Sequence, residues 1–152
     1  MLSYKLLFFL PLISTIFTYP FGVLLGEKTA QYFSSTLISI AAILSWFLFI
    51  SFSSSSSSEI IIPVLEWFFV SGQFFNWGIS VNSLTLLMLT LVLTVSALVH
   101  IYSIDYMSHD NSKVRFMTYL SLFTFCMVAL VVSDNLIQLF FGWEGVGLAS
   151  YL

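Results

Sequence analysis

Charged residues are nearly missing from this chain: four Lys or Arg and seven Asp or Glu in 152 residues, 7% of the whole. Soluble globular domains carry about 25%, so a water-exposed surface cannot be covered with this composition. The formal net charge of -3 excludes a basic footprint for nucleic acid. Cysteine occurs once, at Cys126, which excludes a disulfide framework and a cysteine-based metal centre. In its apolar run Cys126 reads as a small buried hydrophobe. The N-terminus, MLSYKLLFFLPLIST, lacks an Arg-rich amphipathic presequence and a small-residue cleavage site. What remains is apolar: 59% hydrophobic residues, 18% aromatic and a mean hydropathy of +1.04. The composition points to the lipid bilayer as solvent and partner.

A helix needs about 20 mainly apolar residues to cross the hydrocarbon core. Five stretches meet or approach that length: residues 6–25, 32–52, 83–104, 114–132 and 135–152. The expected fold is all-α and membrane-embedded. Between the second and third helices the pattern changes. Ser53 to Ser58 is an unbroken serine run followed by Glu59, a polar membrane exit without chemistry of its own. Ile60-Ile61-Ile62-Pro63 is β-branched, and two aromatic runs, Trp67-Phe68-Phe69-Val70 and Gln73-Phe74-Phe75-Asn76-Trp77, flank Ser71-Gly72. That order predicts a short β-hairpin at the membrane surface, with tryptophans in the interfacial belt. Ser133-Asp134-Asn135 is a tight turn, with Ser133 or Asp134 expected to cap the fifth helix. Asn82 is placed to cap the third. Lys28, Lys113 and Arg115 belong to two loops on one side, and Lys5 lies on the other. The bias places those loops inside and the N-terminus and hairpin outside.

Glu144 is out of place in such a chain. Counted from Asn135, it lies nine residues into the fifth helix, about 14 Å along it at 1.5 Å per residue. Half the hydrocarbon thickness is about 15 Å. A carboxylate at that depth costs several kcal/mol unless it meets protein, water or a partner charge. Desolvation favours the neutral form of any carboxyl, and a nearby cation favours the charged form. A carboxyl whose cationic partner approaches and withdraws is therefore a proton-binding switch. The plainer reading is a Glu that only hydrogen-bonds a neighbouring helix. Gly142, Gly145, Gly147 and Ala149 surround it and are expected to allow close helix packing, with Gly145 and Ala149 in a small-xxx-small pair.

Other polar positions carry less. His100, near the inner end of the third helix, is a candidate proton relay or an interfacial side chain reaching the headgroups. His109 with Asp105 and Asp110 reads as a solvated loop, since the two histidines lack metal-binding spacing. Gln138, Thr90 and Thr94 are expected to bond between helices.

The run Leu139-Phe140-Phe141-Gly142-Trp143-Glu144-Gly145-Val146-Gly147-Leu148-Ala149-Ser150-Tyr151-Leu152 resembles the fifth-chain family of antiporter-like, proton-translocating subunits of NADH:ubiquinone oxidoreductase, respiratory complex I. So do Leu98-Val99-His100-Ile101-Tyr102-Ser103-Ile104, Tyr106-Met107-Ser108-His109-Asp110, Arg115-Phe116-Met117, Tyr119 to Phe125 and Asp134-Asn135-Leu136. These blocks run in one order from Trp77 to Leu152; the first 75 residues are similar only in helix lengths, hairpin loop and aromatic content. Asn82 stands where the family usually has Asp, Asp105 replaces a small residue and Asn111 a frequent proline.

The resemblance implies a membrane-arm subunit in the mitochondrial inner membrane, N-terminus on the intermembrane-space side. A missing import presequence would suit synthesis inside the organelle. The resemblance also implies that Glu144 pairs with a lysine on a later helix to gate proton uptake. It implies no cofactor in this chain, with FMN, iron–sulfur clusters and ubiquinone held elsewhere in the complex. Expected partners are other membrane-arm subunits. Because the family subunit is about three times longer or more, a second polypeptide carrying the remainder is also expected, from a split subunit rather than a truncation. The competing readings are part of a multisubunit sodium/proton antiporter, and a structural membrane fragment without transport.

Overall fold

In the computed structural model, residues 2–53, 60–70, 73–110 and 112–152 are described. The serine run beyond residue 53 with Glu59, the Ser71-Gly72 dipeptide and Asn111 lie outside them. The elements are α1 (Leu2–Leu25), α2 (Glu27–Ser53), β1 (Ile60–Val70), β2 (Gln73–Val81), α3 (Ser83–Tyr106), α4 (Lys113–Val131) and α5 (Leu136–Tyr151). The five expected helices and the hairpin are present. α1 and α2 both begin about one turn before their apolar stretches, because helical hydrogen bonding continues through polar end residues. Gly26 separates them at φ 100°, a left-handed backbone that glycine adopts without strain and that ends helices. Four helices, α1 to α4, are long and apolar enough to cross a membrane. α5 has 16 residues.

α4 is the hub of the bundle: it packs against α1, α2, α3 and α5. α1 and α2 lie side by side, as do α2 and α3. Leu7, Phe8, Ile38, Ala41, Leu86, Leu89, Leu93, Val128 and Ala129 fill the space among them. Many leucines, isoleucines and phenylalanines point outward instead, as helices solvated by lipid or by other apolar helices require. Glu27 at the start of α2 pairs with Lys113 at the start of α4 at 3.1 Å, so the α1–α2 and α3–α4 connections share one end of the bundle.

The hairpin caps the other end. β1 and β2 pair antiparallel from Ile60↔Val81 to Val70↔Gln73, longer than the short hairpin expected. The register slips between Pro63 and Leu65, next to a residue with no N–H to give the ladder. Ile62 and Ile79 are buried in the bundle core. The α4–α5 turn is stitched to β2: Ser80 N donates to Val132 O at 2.9 Å, and Ile79 bridges Ser133. Asn135, not Ser133 or Asp134, caps α5; its side chain accepts from Gln138 N at 2.9 Å. It also donates to Asn76 O at 3.0 Å, a contact available only because the hairpin lies beside this turn. Asn82 caps α3 as expected, accepting from Thr85 N at 2.8 Å.

Gln138 is fully buried and bonds the hairpin rather than another helix. Its Nε2 donates to Gly78 O at 2.9 Å and its Oε1 accepts from Gly78 N at 3.2 Å. Gln138→Leu would strip both Gly78 backbone groups of this side-chain partner. An unsatisfied buried group costs about 1–3 kcal/mol, so the variant should lower the thermal midpoint and expose the hairpin to protease before the helices. An unchanged digestion pattern would show that the hairpin is held without this pair. Thr94, by contrast, bonds between helices as expected, accepting from Trp46 Nε1 at 3.0 Å. Thr90 donates within α3, to Leu86 O at 2.7 Å, with Ser45 O of α2 more distant at 3.5 Å.

Candidate functional site

α5 lies on α4 by its small residues. A Cβ on Gly142 would sit 2.7 Å from the backbone nitrogen of Leu130, and one on Gly145 would sit 2.7 Å from Cys126 Sγ. Ala149 is buried on the same face. The helices approach this closely only because these positions lack bulk. Cys126 is buried in the contact, the packing role expected of it. Gly147 is different. Among the described residues nothing lies within 4 Å of its hypothetical Cβ, so it falls on the far side of α5 from α4 and makes no packing contact in this bundle.

Glu144 shares that far side. It is exposed, and so are Phe140, Phe141, Trp143, Leu148 and Tyr151. No hydrogen bond or ion pair reaches Glu144 among the described residues. It stands eight residues after the first residue of α5 and seven before the last, at mid-helix. The basic residues are all remote from such a depth: Lys5, Lys28, Lys113 and Arg115 each lie within the first four residues of a helix. The α4 contact thus turns a mid-helix carboxyl outward from this bundle, on an apolar face.

His100 goes the opposite way. Six residues separate it from the end of α3 at Tyr106, about 9 Å, and it is fully buried. The headgroup-reaching alternative is therefore corrected: the ring points into the bundle, because position 100 falls on the α3 face with Leu93, Ala97 and Ser103, all buried. Its Nδ1 lies 2.8 Å from Ser96 O. A carbonyl only accepts, so this nitrogen carries a proton. Nε2 lies 3.2 Å from Ser121 Oγ.

Ser121 opens a chain of hydroxyls. Its Oγ is 2.8 Å from Ser34 Oγ and 3.0 Å from Ser14 Oγ, and Ser14 donates to Ser34 at 3.2 Å. On the other flank Ser96 Oγ lies 2.5 Å from Thr124 Oγ1, whose own proton goes to Leu120 O at 2.9 Å. Ser14 donates to Ser34, and Ser121 Oγ, whose own proton goes to Met117 O at 3.0 Å, sits between Ser34 and the His100 ring. Four helices, α1 to α4, meet at this one buried polar junction. Sequence reading singled out His100 but missed Ser14, Ser34 and Ser121. Serines inside apolar helices were the available signal, yet nothing in one sequence says that three of them, from three helices, converge.

His100→Leu should therefore destabilise the bundle modestly, since the ring's bonds to Ser121 Oγ and Ser96 O are lost at about 0.5–1.5 kcal/mol each while Ser121 Oγ keeps Ser34 and Met117 O. His100→Gln, which can still donate and accept, should recover most of that loss in a thermal melt. Equal melting of the two variants would mean that the ring matters by volume alone.

Comparison with known proteins adds what geometry cannot. The family described as NADH-ubiquinone oxidoreductase (complex I), chain 5 N-terminus, matches residues 67–117. NADH-ubiquinone oxidoreductase chain 5 of Arabidopsis thaliana is 44% identical over 151 residues, 98% of this chain and 22% of that protein. The Triticum aestivum chain 5 gives the same figures. The chain is homologous to the N-terminal portion of the chain 5 family. NADH-quinone oxidoreductase subunit L of Rhodobacter capsulatus is similar as well, 46% identical over 136 residues, 85% of this chain and 19% of that protein. The family match at 67–117 runs from the end of β1 through β2 and α3 into the first turn of α4. Similarity to the plant chain 5 proteins over 98% of the chain also takes in α5. The chain spans about a fifth of the length of the chain 5 and subunit L proteins it matches.

Proposed function

We propose that this chain supplies the first helices of an antiporter-like, proton-translocating membrane-arm subunit of NADH:ubiquinone oxidoreductase. Glu144 is its intramembrane proton-binding carboxyl. One observation carries the reading: small residues seat α5 on α4, and that seating turns Glu144 outward at mid-helix, on an apolar face. A carboxyl left there needs a polar or cationic partner, and the lysines of this chain are at helix starts. The partner is then a lysine on another element of the same subunit, or on a second polypeptide that carries its remainder. Approach of that lysine favours the carboxylate; withdrawal favours the acid. His100 is the second candidate relay, since its buried ring reaches the Ser96 carbonyl on one side and the Ser121 hydroxyl on the other.

In this reading the membrane is the mitochondrial inner membrane. The N-terminus and hairpin face the intermembrane space, because Lys28, Lys113 and Arg115 gather at the opposite end. FMN, iron–sulfur clusters and ubiquinone belong to other subunits. Mass spectrometry of native inner-membrane complexes tests the assignment. This chain should migrate with NADH dehydrogenase activity and with a polypeptide, or a continuation, resembling the rest of chain 5. Its absence from that complex would remove the pump reading.

A further inference from the structure

The junction around His100 has one loose end, and it is specific. Gln31 lies on α2, one turn nearer the α2 start than Ser34, on the same buried face as Ser34, Ser35 and Ile38. It is 3% exposed, and its Nε2 has no hydrogen-bond partner among the described residues. An amide that donates to nothing in a buried site is costly, and native proteins meet such groups with ordered water.

The acceptors for a bridging water are close in register. α1 and α2 are antiparallel neighbours, and Ser14 faces Ser34 across them. One turn on, Thr18 of α1 therefore comes level with residues 30 and 31 of α2. Thr18 is fully buried and spends its proton on Ser14 O, which leaves its hydroxyl oxygen able to accept. Ser14 Oγ gives its proton to Ser34 and lies 3.0 Å from Ser121 Oγ, and its lone pairs can accept. The local inventory is thus one donor without an acceptor and two hydroxyl oxygens able to take a proton. A water molecule reconciles them: it accepts from Gln31 and donates to Thr18 and Ser14.

We propose that Gln31, Thr18 and Ser14 hold an ordered water that extends the Ser34–Ser121–His100 chain toward the end of the bundle where α2 and α4 begin. The site is independent of whether Glu144 titrates. It lengthens the cluster of buried hydroxyls against which the imidazole sits.

A density map of the intact complex, at a resolution that shows ordered water, is the direct test. The expected result is a peak about 2.7–3.2 Å from Gln31 Nε2 and within the same reach of Thr18 or Ser14 Oγ. The map of the Gln31→Leu complex should lose that peak while Ser14, Ser34 and Ser121 keep their places. Finding the Gln31 amide bonded directly to a protein or lipid atom, with no peak beside it, would overturn the proposal. So would a peak that persists unchanged in Gln31→Leu, because Gln31 would then not be what holds it.

Discussion

Glu144→Gln should leave the complex assembled and its NADH oxidation measurable while proton translocation through this module falls by roughly tenfold or more. Gln occupies nearly the same volume and keeps one acceptor, so helix packing has little reason to change. It cannot carry an acid proton, and a positioned proton-transfer group commonly contributes 10²–10⁴-fold. The exposed placement of Glu144 makes the test clean within this bundle, because no hydrogen bond among the described residues is lost. Glu144→Asp should recover part of the activity, since the carboxyl is retained but drawn back by one methylene. Pumping measured in vesicles, as protons per NADH oxidised, separates these cases. Wild-type pumping in Glu144→Gln would leave the carboxyl as a helix-contact group and favour a structural fragment.

Gly142→Ala should weaken the α4–α5 contact by about 1–3 kcal/mol, the usual cost of overpacking a filled interface. The added carbon would meet backbone atoms of Leu130, at 2.7 and 2.8 Å, and backbone cannot rotate aside as a side chain can. α5 would have to lift from α4, carrying Glu144 with it. Gly147→Ala is the matched control. Nothing lies within 4 Å of its Cβ, and alanine favours a helix over glycine by up to about 1 kcal/mol, so this variant should melt no lower than the parent. A difference between the two in complex yield and thermal midpoint would locate the packed face of α5. Equal behaviour would mean that the α4 contact contributes little in the assembled subunit.

The sequence alone determined the medium and most of the elements. Seven per cent charge and long apolar runs leave the bilayer as the only workable solvent, and that pattern is local, so five helices could be placed from it. The hairpin was legible for the same reason: β-branched and aromatic runs about a turn dipeptide are a nearest-neighbour signal. Glu144 was legible because one carboxylate in an apolar helix is conspicuous wherever the helix packs.

Tertiary structure decided the orientation of each face. Glycines recur around Glu144 at 142, 145 and 147, and spacing alone could not say that Gly142 and Gly145 meet α4 while Gly147 meets none of the described residues. His100 could have faced lipid headgroups or the core; the contact of α3 with α4 turned it inward onto Ser121. Asn135 rather than Asp134 caps α5 because the hairpin offers Asn76 O to the same side chain. The hydroxyl junction joins positions 14, 34, 100 and 121. In apolar helices with nearly uniform faces, the sequence holds no strong amphipathic stripe to say which side turns inward, so only packing could bring those four together.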